Sequence, residues 1–254
     1  MAGVALAAAI AVAARHARAL SPSGAAAATL VGAAAVAAGW AWGALLIAFF
    51  VASTTLSRWG AARKEALTRA VVDKGAERDA LQVFANGGLF AGAALLYLTA
   101  PDPRLMAAGA GALAAATADT WATEVGTLLG GAPRSALTLQ PLAPGMSGGV
   151  TPVGTLAAVA GAAFIAAVAW ALGWPGAAGA ALLGGVVGCA ADSVIGATIQ
   201  ARRRCPRCQT LTERTTHVCG EVTQPAGGLA WLDNDGVNLA SGAVGAVVAW
   251  LCAQ

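Results

Sequence analysis

Three carboxylates, Asp119, Glu124 and Asp192, lie in stretches apolar enough to enter a membrane, so solvation alone does not account for them. Asp119 and Glu124 stand five residues apart in the run 105–129. An ionisable group at membrane depth costs ~2.5–3.5 kcal/mol by insertion scales, so such a pair usually has a task. Ala191-Asp192-Ser193 faintly echoes Ala118-Asp119-Thr120 in a later apolar run. At ~100° per residue, Asp119 shares a helical face with Thr123, and Asp192 shares one with Gly196 and Gln200. Gln82 and Asn86 make a similar pair, and Asp233-Asn234-Asp235-Gly236-Val237-Asn238 opens the last apolar run. Carboxylates can hold Mg²⁺ while Arg and Lys hold phosphate oxygens. Hydrogen bonding between helices is the competing use for these groups.

The stretch from Pro144 to Thr155 supplies a complement. It contains Ser147-Gly148-Gly149-Val150-Thr151 and leads into an apolar run. Glycines let a backbone fold around an anion, and a helix N-terminus adds partial positive charge. Histidine is scarce: His16 and His217 are the two present, and no His-Glu-x-x-His motif occurs. The sequence offers no obvious nucleophile–base pair for hydrolysis. Phosphoryl transfer to an ionised acceptor needs positioning and charge neutralisation more than a strong base. A phosphomonoester, with a second pKa near ~6, is such an acceptor.

Cys205-Pro206-Arg207-Cys208 followed by His217-Val218-Cys219 forms a separate module. These four residues could bind one structural Zn²⁺ tetrahedrally, or remain reduced, unligated thiols.

The elements that must position these groups are membrane helices. Of 254 residues, 58% are hydrophobic and 11% charged, against ~25% charged in soluble domains. The expected fold is all-α, a polytopic transmembrane bundle of about eight helices in a single domain, 1–254. Their approximate ranges are 2–18, 24–39, 41–57, 80–99, 105–129, 153–173, 176–200 and 236–251. Between them lie a basic segment (58–79), a Gly-rich loop (130–152) and a Cys/His loop (201–235). Arg15 and Arg18 follow the first apolar run, so the start reads as a retained helix rather than a signal peptide. This layout leaves Arg104 as the one outer residue among fifteen Lys and Arg. By the positive-inside rule, both termini lie outside and the polar groups face the cytoplasm. Trp40 and Trp42 are expected at the outer interface.

In order and spacing these motifs resemble the integral-membrane phytyl-phosphate kinase family, which includes animal transmembrane protein 19. The likeness runs through Asp73-Lys74-Gly75, Gln82 to Gly88, Ala118 to Gly126, Ser147 to Thr151, Asp192 to Gln200, and Asn234 to Asn238. Met146 departs from the small polar residue expected there. The resemblance implies a CTP-dependent kinase that converts a prenyl monophosphate (phytyl, geranylgeranyl or farnesyl) to the diphosphate in the cell membrane. It assigns Asp119, Glu124 and Asp192 to Mg²⁺-nucleotide. Lys74, Arg78, Ser147, Gly148, Gly149 and Thr151 are assigned to phosphates, Asp235 and Asn238 are further candidates for the nucleotide, and Asn86 supports the pocket wall. The expected partners are a nucleoside triphosphate and membrane lipid, with no nucleic acid. A membrane cytidylyltransferase and a proton- or cation-coupled transporter are the alternatives.

Overall fold

The computed structural model describes residues 2–73, 75 and 77–253, without the Ala2 side chain. Among these residues the chain is a helical bundle with small strands at one end. Its helices are α1 (Ala2–His16), α2 (Pro22–Ala38), α3 (Trp40–Arg58), α4 (Ala61–Thr68), α5 (Ala80–Thr99), α6 (Pro103–Leu129), α7 (Pro152–Ala171), α8 (Pro175–Thr198) and α9 (Asn234–Cys252). Eight match the expected apolar runs. The additional one, α4, is a short polar helix inside the basic segment. Five helices, α3, α5, α7, α8 and α9, are long and apolar enough to cross a membrane.

Helix boundaries follow local chemistry. Ser21, Asp79, Asp102, Thr151 and Asp233 each cap a helix N-terminus through a side-chain oxygen. Proline occupies an early position in α2, α6, α7 and α8, where its missing N–H costs nothing.

The bundle is organised around α6, which packs against α3, α4, α5, α7, α8 and α9. Its middle, Ala110 to Ala118, is entirely buried. Alanine and glycine make that close packing feasible. A Cβ on Gly188 of α8 would sit 2.5 Å from Ala115 Cβ and 2.8 Å from Ser241 O of α9. Lipid gives no hydrophobic drive for helix association, so close contact between small residues supplies the attraction.

Trp42 is a correction to the sequence reading. It is buried, with its ring 4.9 Å from Trp174 and 5.1 Å from Phe90, whereas Trp40 is exposed. Successive indoles two residues apart cannot share a helix face, so one turns into the core.

The basic segment, both polar loops and the C-terminal ends of α6 and α8 share one end of the bundle, the basic end below. There β1 (Arg134–Ser135) pairs antiparallel with β2 (Gly149–Val150). A second sheet has the order β4-β3-β5, from β3 (Arg202–Arg204), β4 (Leu211–Thr212) and β5 (Gln224–Gly227).

Candidate functional site

Asp119 on α6 and Asp192 on α8 come together where these helices approach the basic end. Their carboxylates are close enough to repel one another, and Asp192 also senses Glu213. Asp192 Oδ2 is buried without a hydrogen-bond partner. The carboxyl lies beside the Ser241 hydroxyl of α9, and that helix contributes buried Asp235 and half-buried Asn238 at its start. Two neighbouring buried carboxylates with an unsatisfied oxygen offer hard-oxygen donors of the kind that suit Mg²⁺.

Glu124 is placed differently. It forms an ion pair with Lys64, a buried residue of α4 that sequence reasoning passed over. Lys64 Nζ also donates to Leu56 O (2.8 Å) and Ser57 O (2.9 Å) in the last turn of α3. One amine therefore ties α3, α4 and α6 together.

Arg78 approaches from the other side. Its backbone is pinned by the turn between α1 and α2: its N–H donates to Ala19 O at 3.1 Å, and its carbonyl accepts from Ser21 N at 3.0 Å. Burial pulls the guanidinium below its ordinary pKa, and the Glu124 charge opposes that shift. Arginine remains a cation under such a shift. Arg78, Gln82, Asn86 and Thr120 form the polar end of a cavity of about 320 Å³ between α1, α2, α3 and α5. The remaining lining is apolar, including Leu6, Ile10, Val31, Ile47 and Phe50. Gln82 and Asp79 form a reciprocal capping box at the start of α5, and Asn86 Nδ2 donates to Gln82 O at 2.9 Å. The polar end is therefore braced. Thr120 joins the cavity to Asp119, its neighbour in sequence.

The Gly-rich loop is folded against this site rather than left open as an anion cradle. Ser147 N–H donates to Glu213 Oε1 at 3.0 Å, and Gly149 N–H to Met146 O at 3.2 Å. Gly148 has φ +77°, and any Cβ there would collide with the Ala197 backbone at the end of α8. Met146, the departure from the family pattern, is buried beneath the loop. Thr151 is also buried, its hydroxyl accepting Gly154 N–H at 2.9 Å as the cap of α7. That hydrogen bond commits the oxygen, as acceptor, to the cap. Gly149 is exposed in β2, and Lys74 lies outside the described residues.

Cys205, Cys208, His217 and Cys219 converge, with all four ligand atoms within 4.8 Å of one another. The arrangement is a plausible metal centre on the loop that carries Glu213.

Comparison with known proteins places the chain in a family. The profile of the integral membrane protein family DUF92 matches residues 5–246. The chain belongs to this family. A curated relative, Protein PGR of Arabidopsis thaliana, is 28% identical over 231 residues, covering 80% of this chain and 78% of its own. An uncharacterized membrane protein of Methanocaldococcus jannaschii is 32% identical over 159 residues, 62% of this chain and 65% of its own length. No solved structure matches the chain.

Three site residues of this DUF92 protein escaped sequence reasoning: Lys64, Arg202 and Glu213. Arg202 donates to Gly196 O (3.0 Å) and Ala197 O (2.6 Å) at the end of α8. Burial raises the Glu213 carboxyl above its usual pKa, against the opposing hydrogen bonds from Ser147 and the charge of Arg202. All three sit in charge-rich segments, where topology explains a charged residue as readily as chemistry does.

Proposed function

We propose that the protein is a CTP-dependent kinase that phosphorylates a membrane-embedded prenyl monophosphate to the diphosphate. One observation carries the reading: the apolar cavity ends in Arg78, Gln82, Asn86 and Thr120, the last of them next in sequence to Asp119. An amphiphile with a long hydrocarbon tail and an anionic head matches that division, and about 320 Å³ falls in the range of ligand pockets. The family resemblance in the motifs selects the prenyl phosphate and CTP from within this chemical class.

In this reading the tail lies among Leu6, Val31, Ile47 and Phe50, and Arg78 holds the acceptor phosphate. Asp119 and Asp192 hold Mg²⁺, which when bound neutralises and orients the nucleotide phosphates. Glu124, fixed by Lys64, keeps Arg78 charged and aimed. Asp235 and Asn238 close the nucleotide side. An acceptor phosphate oxygen forms a bond to the γ-phosphorus of CTP as the bridge to the β-phosphate breaks, leaving CDP. The acceptor arrives already ionised, so no side chain has to remove a proton. The site would face the cytoplasm of the cell membrane, with both termini outside, as the distribution of Lys and Arg favours.

The test supplies purified protein with Mg²⁺, a panel of prenyl monophosphates and CTP radiolabelled at either the α or the γ phosphate. Label from the γ position in prenyl diphosphate is the expected result. Transfer of the α label instead identifies a cytidylyltransferase. Absence of any labelled lipid, beside an active control enzyme, overturns the kinase reading and returns attention to transport.

A further inference from the structure

The Cys/His loop has more structure than its sequence would sustain unaided. Its strands are two to four residues long, and β5 is exposed throughout. Little apolar surface is available to order it, and small units of this kind usually need a metal or disulfides. Its buried interior contains instead Cys205, Thr212, His217 and Thr223.

The geometry around the thiols is that of a metal knuckle. Cys205 Sγ lies 3.6 Å from Cys219 Sγ, and His217 Nδ1 lies 3.1 Å from the same sulfur. Tetrahedral Zn²⁺ with ordinary bond lengths holds its S and N ligand atoms roughly 3.4–3.8 Å apart; the two sulfurs fall in that range and the imidazole nitrogen is somewhat closer. The Cys208 N–H points at Cys205 Sγ at 3.4 Å, as suits a thiolate. Gln209, at φ +56°, turns the chain back, and Cys205 N–H closes the turn on Thr210 O at 3.0 Å. His217 Nε2 meets Thr210 Oγ1 at 3.4 Å, leaving Nδ1 for the cluster. A partner on the second ring nitrogen is what fixes a metal-ligating imidazole. A disulfide would use two of these ligands and leave the histidine and a third thiol unexplained.

What the module holds is as informative as how it is built. Between its two ligand pairs, residues 212–214 reach both other polar segments of the basic end. Thr212 Oγ1 donates to Ala70 O (2.8 Å), Glu213 N–H to Val71 O (3.0 Å) and Arg214 Nη1 to Val72 O (2.7 Å). Glu213 then accepts the Ser147 amide of the Gly-rich loop and faces Asp192. Thus one short stretch fastens residues 70–72 and 147 together, directly over the carboxylate pair.

We propose that Cys205, Cys208, His217 and Cys219 bind one Zn²⁺, and that this ion sets the position of the Gly-rich loop through Glu213. Zn²⁺ acts as a clasp distant from the reacting atoms, and Glu213 is a positioning residue. The inference stands apart from the kinase reading, because its test follows metal content and backbone protection and not turnover.

Full-length protein purified in detergent without chelators is analysed for metals, then followed by hydrogen exchange before and after zinc removal with a thiol-directed mercurial. One zinc per chain is expected. Its removal should accelerate exchange at residues 70–72 and 146–148 while α6 and α8 stay protected, and added Zn²⁺ should restore the slow rates. Glu213→Ala should keep its zinc yet lose protection at 146–148, and Glu213→Gln should retain both because its amide oxygen still accepts the Ser147 N–H. Ligand variants that fail to fold leave these comparisons intact, since they use the wild type and Glu213 variants. Wild-type protein without stoichiometric zinc overturns the site, and unchanged exchange at 146–148 after zinc removal overturns the link through Glu213.

Discussion

Charge at the site links the carboxylates: Asp119 senses Glu124, and Asp192 senses both Asp119 and Glu213. Glu124 is neutralised by Lys64, Glu213 accepts Ser147, and Asp119 and Asp192 face each other. The last pair is the one whose repulsion a divalent cation would relieve. Asp119→Asn should therefore reduce transfer by about 10²-fold or more while leaving thermal unfolding in detergent unchanged, since a preorganised electrostatic contact contributes on that scale. The same variant at full turnover under limiting Mg²⁺ would remove Asp119 from its central role. Lys64 and Glu124 behave oppositely. Removing one member of a buried pair strands the other charge, so Lys64→Met should cost about 3–5 kcal/mol of stability. Adding Glu124→Gln should recover much of that loss in denaturant titrations, and a second change that only deepens the loss would contradict a shared pair.

Elements of the bundle act on the site through their ends. Thr151 caps α7, and Gly126 and Gly130 at the end of α6 leave it room: a Cβ on Gly126 would sit 3.1 Å from Thr151 Oγ1. Thr151→Ala should destabilise the protein by about 0.5–2 kcal/mol, and Thr151→Ser should restore it, as expected for a cap. If Thr151→Ser also loses activity at normal stability, the threonine does more than cap. Helix extents were legible from the sequence because apolar runs end at charged or capping residues, as at Asp79 and Asp102. The short helix α4 was not, since its eight residues, a mix of Ala and Leu with charged side chains, have no apolar period strong enough to separate a helix from a solvated loop. Its significance comes from Lys64 alone, through contacts 60 residues away in the chain.

The bundle as a whole divides an apolar cavity from a polar end, and under the kinase reading that division predicts substrate selection. Ala44 lines the cavity, so Ala44→Trp should shorten the accommodated chain. In competition assays kcat/KM for geranylgeranyl phosphate should fall while that for a shorter prenyl phosphate holds; equal losses for both would place the tail elsewhere. Orientation is testable on the same scale. Cys252 is exposed at the end of α9, opposite the basic end, and Arg63 is exposed on α4. An impermeant maleimide should label Cys252 in intact cells and Arg63→Cys only after permeabilisation, and the reverse pattern would invert the topology.

Membrane residence, the order of the long helices and the clustering of polar motifs at one end were all determined by the sequence itself. Hydrophobic length and the placement of charge are local properties that a bilayer reads almost directly. The pairing of Asp119 with Asp192 was anticipated as a convergence, because two helices ending on one side carry like motifs. Tertiary structure alone decided which charge meets which. It assigned Glu124 to Lys64, turned Trp42 inward, committed Thr151 to a cap and placed Glu213 over the Gly-rich loop. These outcomes depend on helix rotation and loop docking, set by alanine and glycine contacts that small residues spread evenly through the sequence. An alanine-rich helix presents nearly equivalent faces to its neighbours, so the choice of face emerges only when all the helices are packed at once.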